Sequence, residues 1–367
     1  MTALTNRACN RATLARQLLL RRADLTVLDA VEHLVGLQAQ APFPPYTGLW
    51  TRIADFRPHD LADLLLDRRV VRIALMRGTV HLVSAADCLA LRPLHQDMLE
   101  RVVRTAYRRH LDGIEFADVA EYGRALVEEK PRSTVELGAA LLERWPGRDR
   151  QALLNVVRSA LPLVQLPPRA VWGRAGQATV TTAQAWLDRP LCTDATLEHL
   201  VRRYLAAFGP ASIADAQKWS GLTRLGEVFE RLRSELVTFR AESGAELFDL
   251  PDAPRPSADV DAPVRFLPDF DNILLSHADT SRIMPVAHRK QLFTVNGIIR
   301  SALLVDGYTA GKWRIERRGN DATIVIEPFR RLSTRDKKAS EAEGLRLLAF
   351  AEEGAGEHAV QILTATD

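Results

Sequence analysis

The segment Gly36-Leu37-Gln38-Ala39-Gln40-Ala41-Pro42 has the residue types and spacing best suited to polar chemistry. Before it, Val27, Leu28, Val31, Leu34 and Val35 follow helical spacing, and Gln38 falls four residues after Leu34, on the same apolar side. Pro42 disfavours helix at Ala41 and pushes the chain towards extended geometry. In an extended stretch, residues two apart point the same way. Gln38 and Gln40 would then present two carboxamides to one place, each with an acceptor oxygen and a donor NH₂. A polar helix end with two solvated glutamines is the plain alternative.

Other candidates are weaker. Arg77-Gly78-Thr79-Val80-His81 reads as a turn and an outgoing strand, where a histidine is most often a hydrogen-bonded structural residue. Asp269, Asp271, His277 and Asp279 crowd the stretch from Pro268 to Arg282, a pattern that also suits a loop with internal turn bonds. Arg101, Arg104, Arg108 and Arg109 fall on one face of an expected helix, either a solvated face or a phosphate track. Tyr308 to Arg314 reads as a hairpin tip carrying Lys312 and Arg314.

Several kinds of chemistry find no support. No HxH, HxxxH or CxxC spacing occurs, so neither a catalytic nor a structural metal is expected. A GxGxxG after a strand, a GxxxxGK[ST] loop and a GxSxG elbow are all missing, and no cofactor is expected. Cys9, Cys88 and Cys192 are odd in number and far apart, which argues against disulfides and fits a reducing cytoplasm. The first residues lack the apolar core of a secretory signal, and no run of about 18 apolar residues predicts a membrane span. The net charge is +3, yet of 49 basic residues only six are lysine. A GC-rich genome would favour arginine codons; the guanidinium fork also matches phosphate oxygens.

The chain is 367 residues long, enough for two or three domains at about 150 residues each. One pattern recurs three times along it: short helices followed by two short strands around a turn. In the third and clearest copy, a helix from Leu197 to Ala207 precedes Ser212, a helix cap, and a helix from Ile213 to Trp219. Ser220-Gly221 turns the chain, Thr223 to Leu236 is amphipathic, and strands flank Ser243-Gly244. That order is a winged helix-turn-helix. The second copy has a helix near Phe116 to Glu129, a capping box at Ser133 and Glu136, a helix from Arg150 to Ala160 and a wing from Leu161 to about Thr182. In the first, helices are expected at Arg11–Leu20, Thr26–Leu37, Tyr46–Ile53 and Asp60–Leu66, then a hairpin from Val70 to Val83. One helical connector is expected from Ala86 to His110, and a Pro/Asp/Ala-rich linker from Pro251 to Pro263. The expected fold is α+β, mainly helical with β wings. Winged units span 1–112, 113–192 and 193–258, and a mixed α/β segment, 259–367, packs on the array.

These units and several phrases resemble the AlkZ-like DNA glycosylases. The phrases are Gln38-Ala39-Gln40, Met76-Arg77-Gly78-Thr79-Val80-His81-Leu82, Phe208-Gly209-Pro210-Ala211, Pro268-Asp269-Phe270-Asp271-Asn272, and Asp306-Gly307-Tyr308 leading to Gly311-Lys312-Trp313-Arg314. The resemblance implies three tandem winged-helix units in a C shape with a positive concave face. It implies hydrolysis of N-glycosidic bonds of alkylated purines, including unhooking of interstrand crosslinks, without metal or cofactor. Gln38 and Gln40 match the family's Gln-x-Gln motif; a sister branch carries Gln-x-Asp. The Gln-x-Gln form resembles the branch linked to self-resistance against crosslinking natural products such as azinomycin B. The partner implied is double-stranded DNA with alkylated or crosslinked purines, met by a cytoplasmic, nucleoid-associated monomer. Arg77, Thr79, His81, Arg104, Arg108, Lys312 and Arg314 are the DNA-contacting candidates. The alternative is a non-enzymatic winged-helix regulator, but such proteins usually read a palindrome as a dimer with one reading head per chain.

Overall fold

The computed structural model describes residues 2–365. Its third winged unit follows the sequence closely. Ser212 caps the helix Ile213–Ser220 by accepting from the Asp215 N–H, while Asp215 accepts from the Ser212 N–H, a reciprocal cap. Gly221, at φ +79°, ends that helix in the left-handed conformation that glycine adopts without strain. The helix Gly226–Leu232 and its 3₁₀ extension Arg233–Glu235 lead into the wing Val237–Ala241 and Glu246–Asp249. Buried Tyr204, Phe208, Trp219, Phe229 and Phe248 fill the unit.

The second unit has helices Phe116–Glu129, Thr134–Arg144 and Arg150–Ala160, the middle one opened by the expected Ser133/Glu136 box. In the first unit the helices fall at Asn6–Arg16, Val27–His33, Pro44–Trp50 and Pro58–Leu66; the first starts and ends earlier than expected, the second stops four residues short, and the last two begin two residues early. The connector is two helices, Ala85–Leu94 and Gln96–Ala106, separated at His95 just after Pro93, which lacks a backbone donor.

The two wings do not stand apart. They merge into one six-stranded sheet, in the order Leu37–Gln38, Val80–Ser84, Val70–Ala74, Leu163–Gln165, Thr179–Thr182, Arg132–Ser133. The seam pairs Arg72 with Gln165 and Ile73 with Val164. The glutamine segment is therefore the edge strand of a sheet built from both units.

Beyond the linker, a five-stranded sheet of Arg265–Leu267, Ala302–Val305, Tyr308–Arg318, Asp321–Pro328 and His358–Ile362 packs against the helix Thr334–Ala351. The linker has no helix or strand but is held along its length: Arg7 donates to the Ala258 carbonyl and Arg11 to that of Val260. The helix carrying those arginines, read from sequence as opening the first unit, attaches elsewhere. Arg16 forms a fully buried pair with Asp249 at 2.6 Å, and Asn10 donates to the carbonyls of Arg282 and Gly307. Thr2–Leu4 adds a parallel strand to the third wing. Among the described residues no helix is long and apolar enough to cross a membrane.

Candidate active site

The glutamine segment forms where a short helix is stopped abruptly. Val35 and Gly36 both take positive φ, 54° and 85°, so the chain leaves the helix after His33 and turns into a strand. Glycine is required at 36: a Cβ there would lie 2.8 Å from the Leu82 carbonyl oxygen. The expected helix to Leu37 is thus corrected. Gln38 stands on a strand, paired in register with His81, and Ala39 N–H donates to the Val80 carbonyl at 2.7 Å.

The carboxamides differ in setting. Gln38 is 6% exposed, and its Oε1 accepts from Arg77 Nη2 at 2.8 Å. Gln40 is exposed, and its Oε1 accepts from the Val80 N–H at 3.2 Å. Both partners can only donate, so they fix which end of each amide is oxygen. Each oxygen keeps a second lone pair, and neither NH₂ has a protein acceptor among the described residues.

Arg77 is the hub of the site. It occupies the turn of the first wing with φ 58°, an uncommon conformation for a residue with a side chain. Its Nη2 also donates to Asn272 Oδ1 at 3.0 Å and approaches His81 Nε2 at 3.4 Å. Its Nη1 donates to the Trp219 carbonyl in the third unit. Gly221 lets that unit press close, since a Cβ there would lie 3.0 Å from the Arg77 backbone. One guanidinium therefore joins the first wing, the third unit and the C-terminal segment. No carboxylate pairs with it among the described residues, and burial pushes its pKa down to about 10, so it stays charged at neutral pH. Arg72, also buried without a carboxylate, donates to the Ala39 carbonyl at 2.6 Å and to Gln165 Oε1. Two buried cations thus clamp the Gln-x-Gln segment.

His81 is fully buried. Its Nδ1 lies 2.9 Å from the Thr79 carbonyl, which makes Nδ1 the protonated nitrogen and Nε2 the acceptor facing Arg77. Burial, and then the Arg77 charge, pushes its pKa down to about 3. It is neutral at physiological pH and supplies no acid. Thr79 caps its own turn by donating to the Met76 carbonyl. Asn272 donates to the Gly36 carbonyl at 3.2 Å, tying the glutamine strand's start to the same hub. A cavity of about 20 Å³ lies beside Gln38, lined also by Gln17, Arg52, Asp271 and Asn272, large enough for one water.

The remaining candidates do not converge there. The expected arginine stripe is broken, because the helix ends at Ala106 and leaves Arg108 and Arg109 in the following turn. Arg104 pairs with Glu100 at 3.3 Å and its guanidinium lies 3.9 Å from the Phe116 ring centroid. Lys312 and Arg314 sit within the strand Tyr308–Arg318 rather than at a tip, and both pair with Glu327. In the polar run, Asp271 forms a buried bidentate pair with Arg52, and Asp279 caps a 3₁₀ turn. Asn272 was not singled out as a site residue from sequence. It lies 195 positions from Arg77, and no local spacing relates the two.

The family model described as "DNA glycosylase AlkZ-like" matches residues 31–350. The fold is similar to that of the solved Streptomyces sahachiroi DNA glycosylase AlkZ, with a TM-score of 0.81 over 99% of this chain and 100% of that one at 20% sequence identity. A search of curated proteins finds no match. With most of its length matched by that family model, the chain belongs to the AlkZ-like DNA glycosylase family.

Proposed function

We propose that this glycosylase hydrolyses the N-glycosidic bond of N7-alkylated purines in duplex DNA and unhooks interstrand crosslinks formed through that position. Self-resistance to a crosslinking natural product such as azinomycin B is the role that fits. One observation carries the reading: both glutamine oxygens are fixed by donors on the wing, Gln38 by Arg77 and Gln40 by the Val80 peptide. Such preorganisation is what a site with no general acid needs.

The chemistry follows from the leaving group. An N7-alkylpurine already carries positive charge, so the C1′–N9 bond breaks with its electron pair returning to the ring and no proton donor is required. The protein then has to place a water at C1′ and accommodate an oxocarbenium-like transition state. The Gln40 oxygen is exposed, keeps a lone pair and faces only a neutral N–H, so it suits both tasks. The Gln38 oxygen lies against a cation, which disfavours a second positive charge nearby; its NH₂, polarised by Arg77, suits a phosphate or sugar oxygen. Glutamine is a poor base at neutral pH, so the water's proton passes to solvent and the glutamines orient rather than abstract. A base tied to the opposite strand cannot be swung fully into a deep pocket, and an exposed Gln40 fits that constraint. Three free cysteines fit work in a reducing cytoplasm. We propose that the protein acts there on the nucleoid as a monomer.

The direct test is excision from duplex DNA containing N7-methylguanine, with abasic sites cleaved by alkali, in the presence and absence of chelator. Strand breaks insensitive to chelator are expected. Specific DNA binding without base release would instead establish a regulator.

A further inference from the structure

A second concavity lies across a shared wall from Gln38. Pro44, Pro268 and Asp269 line both the small cavity beside Gln38 and an open cleft of about 510 Å³. The aromatic sides of that cleft are Phe43, Trp172 and Trp313. Phe43 is 41% exposed, follows Gln40 closely in the chain, and meets Trp172 edge-on with centroids 6.1 Å apart. The other two rings are braced. Trp172 packs on Tyr46 at 4.9 Å, and the Trp313 indole N–H donates to the Leu267 carbonyl at 2.9 Å.

The charge of the cleft is unusual for an arginine-rich chain. Its lining includes Asp269, Arg317 and Glu352, and the last two pair with each other. Asp269 Oδ1 accepts from the Ser301 N–H and hydroxyl at 2.7 and 2.6 Å. Its other oxygen has no protein partner among the described residues. A cleft whose lining offers one unpartnered carboxylate oxygen and, among the described residues, no unpaired cation repels phosphate and suits a flat cation.

We propose that this cleft seats the N7-alkylguanine base, an assignment that rests on the glycosylase reading above. Alkylation places positive charge on the purine, which strengthens its attraction to indole and phenyl faces. The guanine edge offers N1–H and N2–H donors to the free Asp269 oxygen, a charge-assisted contact. The volume falls within the range of small-molecule sites, about 300–1,000 Å³, and leaves space for the substituent on N7. Cleavage returns the C1′–N9 electron pair to the ring and cancels its charge, so the site loosens its hold on the product and favours release.

The test uses the full-length protein and tryptophan fluorescence, at mildly acidic pH where 7-methylguanosine keeps its N1 proton. Quenching by 7-methylguanosine is expected at concentrations roughly tenfold below those needed for guanosine. Asp269→Asn, which retains an acceptor for Ser301, should bring the two nucleosides together, and Phe43→Ala should weaken both. Equal affinities in the wild type, or an undiminished preference in Asp269→Asn, would overturn the proposal. If Asp269→Asn loses its melting transition, the exposed Phe43 decides, and unchanged affinity for 7-methylguanosine in Phe43→Ala overturns it. The two readings fail separately. Excision of N7-methylguanine with equal nucleoside affinities removes the cleft and keeps the glycosylase. Selective nucleoside binding without excision does the reverse.

Discussion

Gln38→Glu should make the protein more stable and less active. The substitution replaces an amide by a carboxylate of the same shape, with its oxygen 2.8 Å from Arg77 Nη2. Arg77 is a buried cation whose hydrogen-bond acceptors are all neutral. At that separation the gross attraction is about 6 kcal/mol in an effective dielectric near 20. Stripping water from the new carboxylate costs several kcal/mol. A net gain of about 1–2 kcal/mol remains, or roughly 1–3 °C in melting temperature for a chain of this size. The pH dependence has a definite sign. Arg77 holds the new carboxyl below its unfolded pKa of about 4.3, so the gain is present above that pH and is lost as pH falls through the folded pKa. The rate should move the other way. Glutamate has no NH₂ to hold a DNA oxygen, and losing one preorganised group typically costs about 10²–10³-fold. Scanning fluorimetry at neutral and acid pH, with single-turnover excision of N7-methylguanine, reads both quantities. A wild-type rate would show that the Gln38 NH₂ has no part in the reaction; a lower melting temperature at neutral pH would refute the account of Arg77.

At the second position, Gln40→Ala should cost about 10²–10³-fold in excision while leaving melting unchanged, because the side chain is exposed. Gln40→Asp should keep substantial activity; equal losses in both variants would show that the amide itself is needed. His81, held near pKa 3 by burial and Arg77, should give no histidine inflection in the excision rate between about pH 5 and 8; an inflection abolished by His81→Gln would reverse that view. Because its folded pKa lies below the unfolded value, His81 contributes stability above about pH 6.5 that declines on acidification, so melting temperature should fall towards pH 4, less steeply in His81→Gln. Arg108 is exposed and has no ion-pair partner among the described residues. If it touches phosphate, Arg108→Ala should lower the salt slope of DNA binding by about 1, whereas Arg104→Ala should chiefly lower stability through its lost contacts with Glu100 and Phe116.

The parts of the architecture visible in the sequence were those written in local signals. Ser133 with Glu136 and Gly221 mark helix boundaries through bonds or dihedral angles spanning only a few residues, and the structure shows them where expected. The Gln-x-Gln spacing was visible for the same reason, although the extended stretch begins before Gln38 because Val35 and Gly36 turn the chain left-handed. The partners of the site were not visible. Asn272 and the Trp219 carbonyl meet Arg77, and Arg72 meets the Ala39 carbonyl, all through tertiary packing that no periodicity signals. The basic candidates misled for a related reason. A sequence counts charges but not their partners, and Glu327 and Glu100 engage Lys312, Arg314 and Arg104.

The merged sheet also constrains how this protein can diverge. Strand register has a period of two, so a one-residue insertion within Leu163–Gln165 would exchange the inward and outward faces of that strand. Its neighbour Val70–Ala74 pairs with Val80–Ser84, which pairs with Leu37–Gln38. Length changes in the second wing are thus passed laterally to the edge strand that carries Gln38, far away in sequence. The connection 166–178 between the two strands of that wing has no helix or strand, and length variation among relatives should concentrate at 174–178, past the Trp172 and Gly173 that line the aromatic cleft. Recombination that exchanges the second unit alone should fail unless the seam of Arg72 with Gln165 travels with it.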